Sequence, residues 1–432
     1  MYDGRSMKQQ MNGGPTADGV PSVPLSRRFS LEKTFSALKH RNYRLYFWGQ
    51  LVSLFGTWMQ ITAQGFLAYH LTHSAAFLGT MGFAGGVPTM ILMLYGGVVA
   101  DRIDRRKLML LTQAAMAALA FLTAGLAFTG LIRPWQLVLL ALSFGVANAF
   151  DAPARQSIVV DLVERKDLTN AIALNSTMFN AGAVVGPAAG GILYALTGPA
   201  WCFIFNGLSF FAVIAALLAM RVHPRPQGTH RSSAWLEVKE GIKYVFDHSI
   251  IRTIIWLILF TGLFGSSFST IFPAWAVKVL GRDAAANGLL HAARGAGALL
   301  SALAIASLGH FHFKGRLLAA GSFAFPLLLF LFAVVRDFPV SLVVLVGAGA
   351  AVILVFNLAN ALVQTLVEDR LRGRVMSIYS LTFFGFMPLG SLWIGLASDK
   401  FGEPLAVMIN AALLLVATIV IFFYMPALSR QK

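Results

Sequence analysis

The chain has 432 residues, is 57% hydrophobic and only 12% charged, and carries a formal net charge of +16. Soluble domains hold about 25% charged residues, so an array of soluble domains is excluded; the single Cys202 also excludes a disulfide framework or a multi-cysteine metal site. What remains is a polytopic α-helical membrane protein, with an excess of cations whose distribution has to be explained.

Residues 1–42 are expected to form a cytoplasmic tail: residues 1–30 mix Gly, Pro, Ser and Gln with scattered Arg and lack the apolar core of a signal peptide. About twelve apolar stretches follow, over roughly 43–71, 76–100, 108–131, 135–157, 169–196, 199–221, 251–276, 284–308, 316–335, 339–366, 373–398 and 404–426. At ~1.5 Å per residue each is long enough for a helix to reach across most or all of a ~30 Å hydrocarbon core. With the N-terminus inside, the outer loops hold only Arg133, Lys278, Arg282, Arg336 and Lys400 of the 34 Lys and Arg, and Arg294 falls within a span. The rest lie on the inner side. This positive-inside bias accounts for the net charge without nucleic acid and predicts that both termini are cytoplasmic.

The first span carries a polar stripe, Gln50, Ser53, Thr57, Gln60 and Gln64, at steps of three and four. Polar side chains at membrane depth need a partner, a cavity or a function. Three glutamines on one stripe favour a water-filled cavity over interhelical bonding, although both would satisfy them.

Between the second and third spans lies GGVVADRIDRRK, residues 96–107, where Asp101, Arg102, Asp104, Arg105, Arg106 and Lys107 crowd together. Such a loop is either a solvated turn that sets topology or a gate that locks against a neighbouring helix end in one state only. The fourth span ends with Asn148, Asp151 and Arg155 on one face, where a local Asp–Arg pair is the simplest reading. The fifth carries Gly182, Gly186 and Gly190, a small-residue face for close approach, with Pro187 weakening the ladder. Its Asn175 and Asn180 either line a cavity or cap nearby backbone.

Residues 222–250 form the longest polar stretch. They become amphipathic, with Trp235, Val238, Ile242, Val245 and Phe246 on one face, and predict a helix on the inner leaflet. This linker divides the chain into a first six-helix bundle over 43–221 and a second over 251–426, with a C-terminal tail over 427–432. The halves repeat: one constant offset pairs Val159 with Val363, Glu164 with Glu368, Gly186 with Gly390, Gly191 with Gly395, Gly198 with Gly402 and Asn206 with Asn410. Duplicated bundles are an architecture of secondary transporters, with the substrate path between the repeats.

In the second half, His291 and Arg294 stand one turn apart, about ten residues into the eighth span. An arginine so placed would snorkel only under strain; it could instead bind an anionic group such as a carboxylate or catecholate, with His291 in proton coupling. Asn357, Asn360 and Gln364 share a face of the tenth span and suit either a cavity or structural bonds. Asn206 and Asn410 suit helix packing. There is no GxxxxGK[ST] loop, no HExxH and no locatable Ser-His-Asp set, so ATP-driven or hydrolytic chemistry has no motif here, and no cofactor or metal is expected. An integral-membrane enzyme would need paired His/Asp or a metal cluster near an interface, and a sensor or scaffold would need no polar cavity.

The residues 96–107 resemble the signature loop of the major facilitator superfamily, with Gly97, Asp101, Arg102, Arg105 and Arg106 on the motif positions and Asp104 where Gly is usual. GQLVSLFGTWMQ in the first span, FDAPARQSIVVDLV at the end of the fourth and NAIALNSTMFNAGAVVGPAAGGIL in the fifth resemble its drug- and siderophore-exporter branch, which includes enterobactin exporters. In the second half GHFHFKGR keeps only a trace of the loop motif. The resemblance implies an all-α major facilitator fold and a monomeric, proton-driven exporter of small organic molecules in the bacterial inner membrane. An importer or lipid flippase on the same fold is the alternative. It further implies that Asp101 meets the inner end of the eleventh span, near residues 374–377, when the carrier is open outward, and that Arg105 or Arg106 pairs with Asp151.

Overall fold

The computed structural model describes residues 35–221, 234–308, 313–426 and 428. The expected N-terminal tail up to residue 34, the first part of the linker, residues 309–312 of GHFHFKGR and most of the C-terminal tail lie outside the described residues.

The described chain is helical throughout. Six long helices form the first bundle: α1 (Arg41–Thr72), α2 (Ala75–Arg102), α3 (Arg105–Phe128), α4 (Pro134–Leu162), α5 (Leu168–Thr197) and α6 (Pro199–Ala219). The linker helix α7 (Ala234–Asp247) follows, and six more build the second bundle: α8 (Ser249–Val279), α9 (Ala284–Leu308), α10 (Lys314–Val334), α11 (Phe338–Leu366), α12 (Arg372–Phe401) and α13 (Glu403–Tyr424). Eleven of these, all but α1 and α7, are apolar and long enough to cross a membrane among the described residues. Their outward faces carry Leu111, Leu196, Val343 and Phe423, each at least two-thirds exposed, a surface suited to hydrocarbon and not to water. The apolar criterion omits α1, because of its polar stripe; α5 and α6 pack along it all the same.

Turn chemistry fixes the loops. Ser74 caps α2 by accepting from the Phe77 amide at 3.1 Å. Asp104 caps α3, accepting from the amides of Arg106 at 2.8 Å and Lys107 at 3.2 Å, so the residue that departs from the family motif ends one helix and starts the next. Pro134 and Pro199 open α4 and α6 at the first turn, where a missing amide costs nothing.

α8 is the irregular helix. After Ser249–Phe260 it runs as a π-turn over Thr261–Gly265, a 3-10 stretch over Ser266–Ile271, a short α-turn and a second π-turn over Trp275–Val279. The linker helix α7 packs on the start of α12: a Cβ on Gly241 would lie 2.9 Å from Ile378 Cδ1, and Glu240 pairs with Arg374. Ile242 and Phe246 are exposed, whereas Val245, expected on the same face, turns into the core. The side chains of Trp235 and Val238 lie outside the described residues.

The two bundles meet along two seams, α2 against α12 and α5 against α9. One end of both bundles carries Arg105, Arg106, Lys107, Lys166, Arg316 and Arg374; it is called the basic end below, and the other the far end.

Candidate functional site

The stripe on α1 divides between two surroundings. Gln60 Oε1 accepts from Asn206 Nδ2 of α6 at 2.7 Å, and Ser209 Oγ donates to Asn206. Gly49 and Gly56 admit α6 at the same face, where a Cβ on Gly56 would lie 2.5 Å from Ser209 Oγ. The Gln60 amide therefore ties α1 to α6. On the same side of α1, Gln50 and Gln64 are buried and Thr57 is partly buried, and Gln50 Oε1 has no partner among the described residues. Asn410, matched to Asn206 by the repeat, plays the same part in the second bundle, donating to Phe264 O of α8 at 3.0 Å and accepting from Trp393 Nε1 of α12 at 2.9 Å.

On α4, Asp151 is buried. Its Oδ1 accepts from Thr112 Oγ1 and Gln113 Nε2 of α3, each at 2.9 Å, and its Oδ2 stands 3.7 Å from Arg155 Nε. Pairing of Asp151 with Arg105 or Arg106 does not occur here. Arg105 bonds instead to Asp161 Oδ2 at 2.8 Å and to Ser157 O at 3.2 Å, and Arg106 donates to Leu218 O at 3.0 Å. The reason is register. α3 and α4 run antiparallel, Arg105 starts α3, and Asp151 lies roughly 15 Å further along α4 than Asp161, level with Thr112. Gly97, Asp101 and Arg102 belong to the last turns of α2, but their surroundings and side chains lie outside the described residues.

Gly182, Gly186 and Gly190 of α5 all face α1: a Cβ at these positions would lie 3.1 Å from Trp58 Cδ1, 2.6 Å from Trp58 Cβ and 2.9 Å from Met59 O. Pro187 stands on the neighbouring face, with its carbonyl against Gly288 of α9. Asn175 accepts from Tyr43 Oη at 3.2 Å, and Asn180 donates back to Ser176 O at 2.8 Å. Both asparagines are partly buried.

Arg294 is the isolated charge of the second bundle. It sits roughly 15 Å from the first residue of α9. Gly295 beside it packs on Ala183 of α5, and Gly297 and Gly349 bring α11 against the α9 backbone, the latter so closely that its Cβ would lie 2.0 Å from Arg294 O. At 100° per residue, the sector between those contacts holds His291 and Arg294, and His291 meets the Phe272 ring of α8 at 4.7 Å. Arg294 Nε is buried with no hydrogen-bond partner, and among the described residues no carboxylate pairs with this guanidinium. On α11, Asn357, Asn360 and Gln364 border a cleft of about 430 Å³ with Ala302, Ile305 and Ala306 of α9, near the basic end. Gln364 Nε2 donates to Asn360 Oδ1 at 2.5 Å, while Asn357 is exposed and without a partner among the described residues.

The close glycine approaches between bundles begin at the far end. Gly79 and Gly82 of α2 lie against Ser391 and Gly395 of α12, and Gly191 of α5 against Ala284 and Gly288 of α9. They run inward as far as Gly86 on Pro388, Gly385 on Met90 and Gly295 on Ala183. Asn287 Nδ2 of α9 also reaches Thr62 O of α1 at 3.5 Å. Sequence reading passed over Asp161, Asp399, the Glu240–Arg374 pair and the Lys278–Glu403 pair (2.9 Å), which join elements distant in the chain. For Asp399 a signal was present: GLASDK, residues 395–400, repeats the Gly-x-x-x-Asp-basic spacing of GVVADR, residues 97–102.

Two six-helix bundles joined at two small-residue seams, with an arginine inside a span that no described carboxylate pairs, define a membrane transporter of the major facilitator type. A family profile described as transmembrane secretion effector matches residues 32–431. The chain belongs to that family. It is 24% identical over 360 residues to the staphyloferrin A transporter of Staphylococcus aureus, covering 83% of this chain and 90% of that one. It is 26% identical over 351 residues to the enterobactin exporter EntS of Salmonella choleraesuis, covering 79% and 82%. It is 23% identical over 356 residues to the multidrug efflux pump Tap of Mycolicibacterium fortuitum, covering 80% and 87%. The crystal structure of the nucleoside transporter NupG shares the fold, with a TM-score of 0.69 at 16% identity over 91% of this chain and 100% of that one.

Proposed function

We propose that the protein exports small organic molecules, siderophore-like or drug-like, by alternating access coupled to protons, as a monomer in the bacterial inner membrane. The observation that carries this reading is Arg294: a mid-depth guanidinium with no counter-ion among the described residues suits a transient anionic ligand, a carboxylate or catecholate, better than it suits helix packing. The exporter names among the relatives support the direction. His291, one turn away against Phe272, is the candidate for proton coupling. Asn175, Asn180, Asn357 and Asn360, with Gln50, Thr57 and Gln64, supply neutral polar surface along the path. Cells carrying the gene are expected to accumulate less of an added catecholate siderophore than cells lacking it. Higher accumulation would make the protein an importer.

In this reading the basic end is cytoplasmic, by the positive-inside bias, and so are both termini. The present conformation, with the far end closed, is then open toward the cytoplasm. Asp101, Arg102 and Gly97 close the inner gate in the opposite state by placing the Asp101 carboxylate at the N-terminus of α12, where the unpaired amides and helix dipole favour an anion. Arg105 and Arg106 hold the loop to α4 and α6. Buried Cys202 leaves the native chain silent to thiol reagents. An impermeant maleimide is therefore expected to label Leu131→Cys in intact cells and to leave Lys166→Cys untouched until the cells are opened. The reverse pattern would invert the topology.

A further inference from the structure

The far end carries an ion-and-cap cluster that joins the two bundles. Asp399, near the end of α12, reaches across to the start of α2: its Oδ2 accepts from Ser74 Oγ at 2.5 Å and its Oδ1 from the Ala75 amide at 2.7 Å. Ser74 Oγ at the same time accepts from the Phe77 amide, so donor and acceptor functions of one hydroxyl are both used and reinforce each other. Beneath them Gly395 and Gly79 touch backbone to backbone, a Cβ on Gly395 lying 2.8 Å from Gly79 Cα. Beside them Lys278 of α8 pairs with Glu403 at 2.9 Å and stands 5.9 Å from the Tyr69 ring centroid of α1.

We propose that Asp399 is the latch of the outer gate: its carboxylate caps α2 of the other bundle, and this contact holds the outer mouth shut while the carrier faces the cytoplasm. α2 and α12 are antiparallel neighbours, and each ends in Gly-x-x-x-Asp-basic, Gly97–Asp101–Arg102 on α2 and Gly395–Asp399–Lys400 on α12. Asp399 thus lies at the N-terminus of α2, and the repeat of the motif on α2 suits the same use at the other membrane face. A carboxylate on a helix N-terminus stabilises whichever state brings the two together. Because Asp399 and Ser74 belong to different bundles, opening the outer mouth breaks the contact, so its energy enters the difference between the two states directly.

The latch rests on the alternating-access reading above. It is tested on the purified full chain in lipid nanodiscs, without ligand. One pair of spin labels at Leu131→Cys and Leu405→Cys reads the outer mouth, and a second at Lys166→Cys and Arg370→Cys reads the inner mouth. Asp399→Ala is expected to shift the population toward a wide outer and narrow inner mouth by roughly fivefold, the size of a helix-terminus charge interaction at an exposed site. Asp399→Asn should shift it less, since it keeps an acceptor. Asp101→Asn should shift it the other way. Asp337→Asn is the control: Asp337 caps α11 within a single bundle, accepting from the Val340 amide at 2.9 Å, and should leave both distances unchanged. If the unsubstituted labelled protein shows two distance populations that Asp399→Ala does not move, the latch is wrong and alternating access stands. A single fixed distance in every variant would overturn both.

Discussion

Arg294→Ala is expected to reduce export of an anionic substrate at least thirtyfold while the protein inserts, folds and resists heat as well as the parent or better. Charge-assisted bonds to a desolvated ligand contribute about 2–5 kcal/mol, and each 1.4 kcal/mol is tenfold in an equilibrium constant. The stability half of the expectation separates binding from architecture. Arg294 Nε has no protein partner, and no carboxylate neutralises the side chain among the described residues. An uncompensated charge at that depth costs stability, so removing it relieves the folded state. Were the side chain instead a helix–helix strut, the alanine variant would lose stability and transport together. Arg294→Lys keeps the charge but not the planar fork and should retain part of the activity. Transport assays on both variants beside their thermal unfolding give four values. Full transport by the alanine variant would return Arg294 to a structural role.

Gly288→Val is expected to slow transport more than tenfold by a different route, leaving each bundle intact and preventing the outer ends from closing. A Cβ at Gly288 would lie 2.4 Å from Pro187 O and 2.9 Å from Gly191 Cα. These are backbone atoms of α5, which cannot step aside as a flexible side chain can. Overpacking of this kind costs about 1–3 kcal/mol, and here the cost falls only on the state in which α5 and α9 touch. The population therefore moves roughly five- to 150-fold toward the outward-open form. Gly186→Val is the instructive contrast. Its Cβ meets Trp58 Cβ at 2.6 Å and Phe55 O at 2.8 Å, both on α1 of the same bundle. That substitution should lower the thermal midpoint, whereas Gly288→Val should leave it near the parent's. Equal loss of stability by the two would mean that the α5–α9 seam is permanent packing and does not open.

Much of this was legible in the sequence. Hydropathy was enough for the spans, since it follows from the solvent alone, and the polar linker with the internal repeat for the six-and-six division. The glycine triplet of α5 was legible as a close-packing face because four-residue spacing fixes a helix side, although the spacing could not say that α1 is the neighbour. The polar stripe of α1 shows the same limit. Period identifies a face, but it does not name the Asn206 amide of α6 as the partner of Gln60. The Asp151 pairing failed for want of a register. With the short loop between α3 and α4 taken as a hairpin, residues facing each other sum to a nearly constant value, and Arg105 then falls opposite Asp161, not Asp151. Asp104 was read as a departure from a family pattern when its position before a helical run is that of an N-cap. The distortion of α8 had composition signals, Gly262, Gly265, three serines and Pro273, but turns of this type arise from tertiary fit and no local rule specifies them.

The polarity of α1 has a consequence for how the molecule is assembled. A segment carrying Gln50, Gln60 and Gln64 gains little from hydrocarbon, and each unsatisfied amide there costs several kcal/mol. Its residence in the bilayer is stabilised by what later segments bring: the Asn206 amide of α6 for Gln60, and the glycine face of α5 for Trp58 and Met59. For α1, then, insertion and tertiary folding are a single step. A lesion in α6 such as loss of Asn206, which would leave the Gln60 amide without that partner, is therefore expected to lower the amount of inserted protein, read by membrane immunoblot, as well as transport.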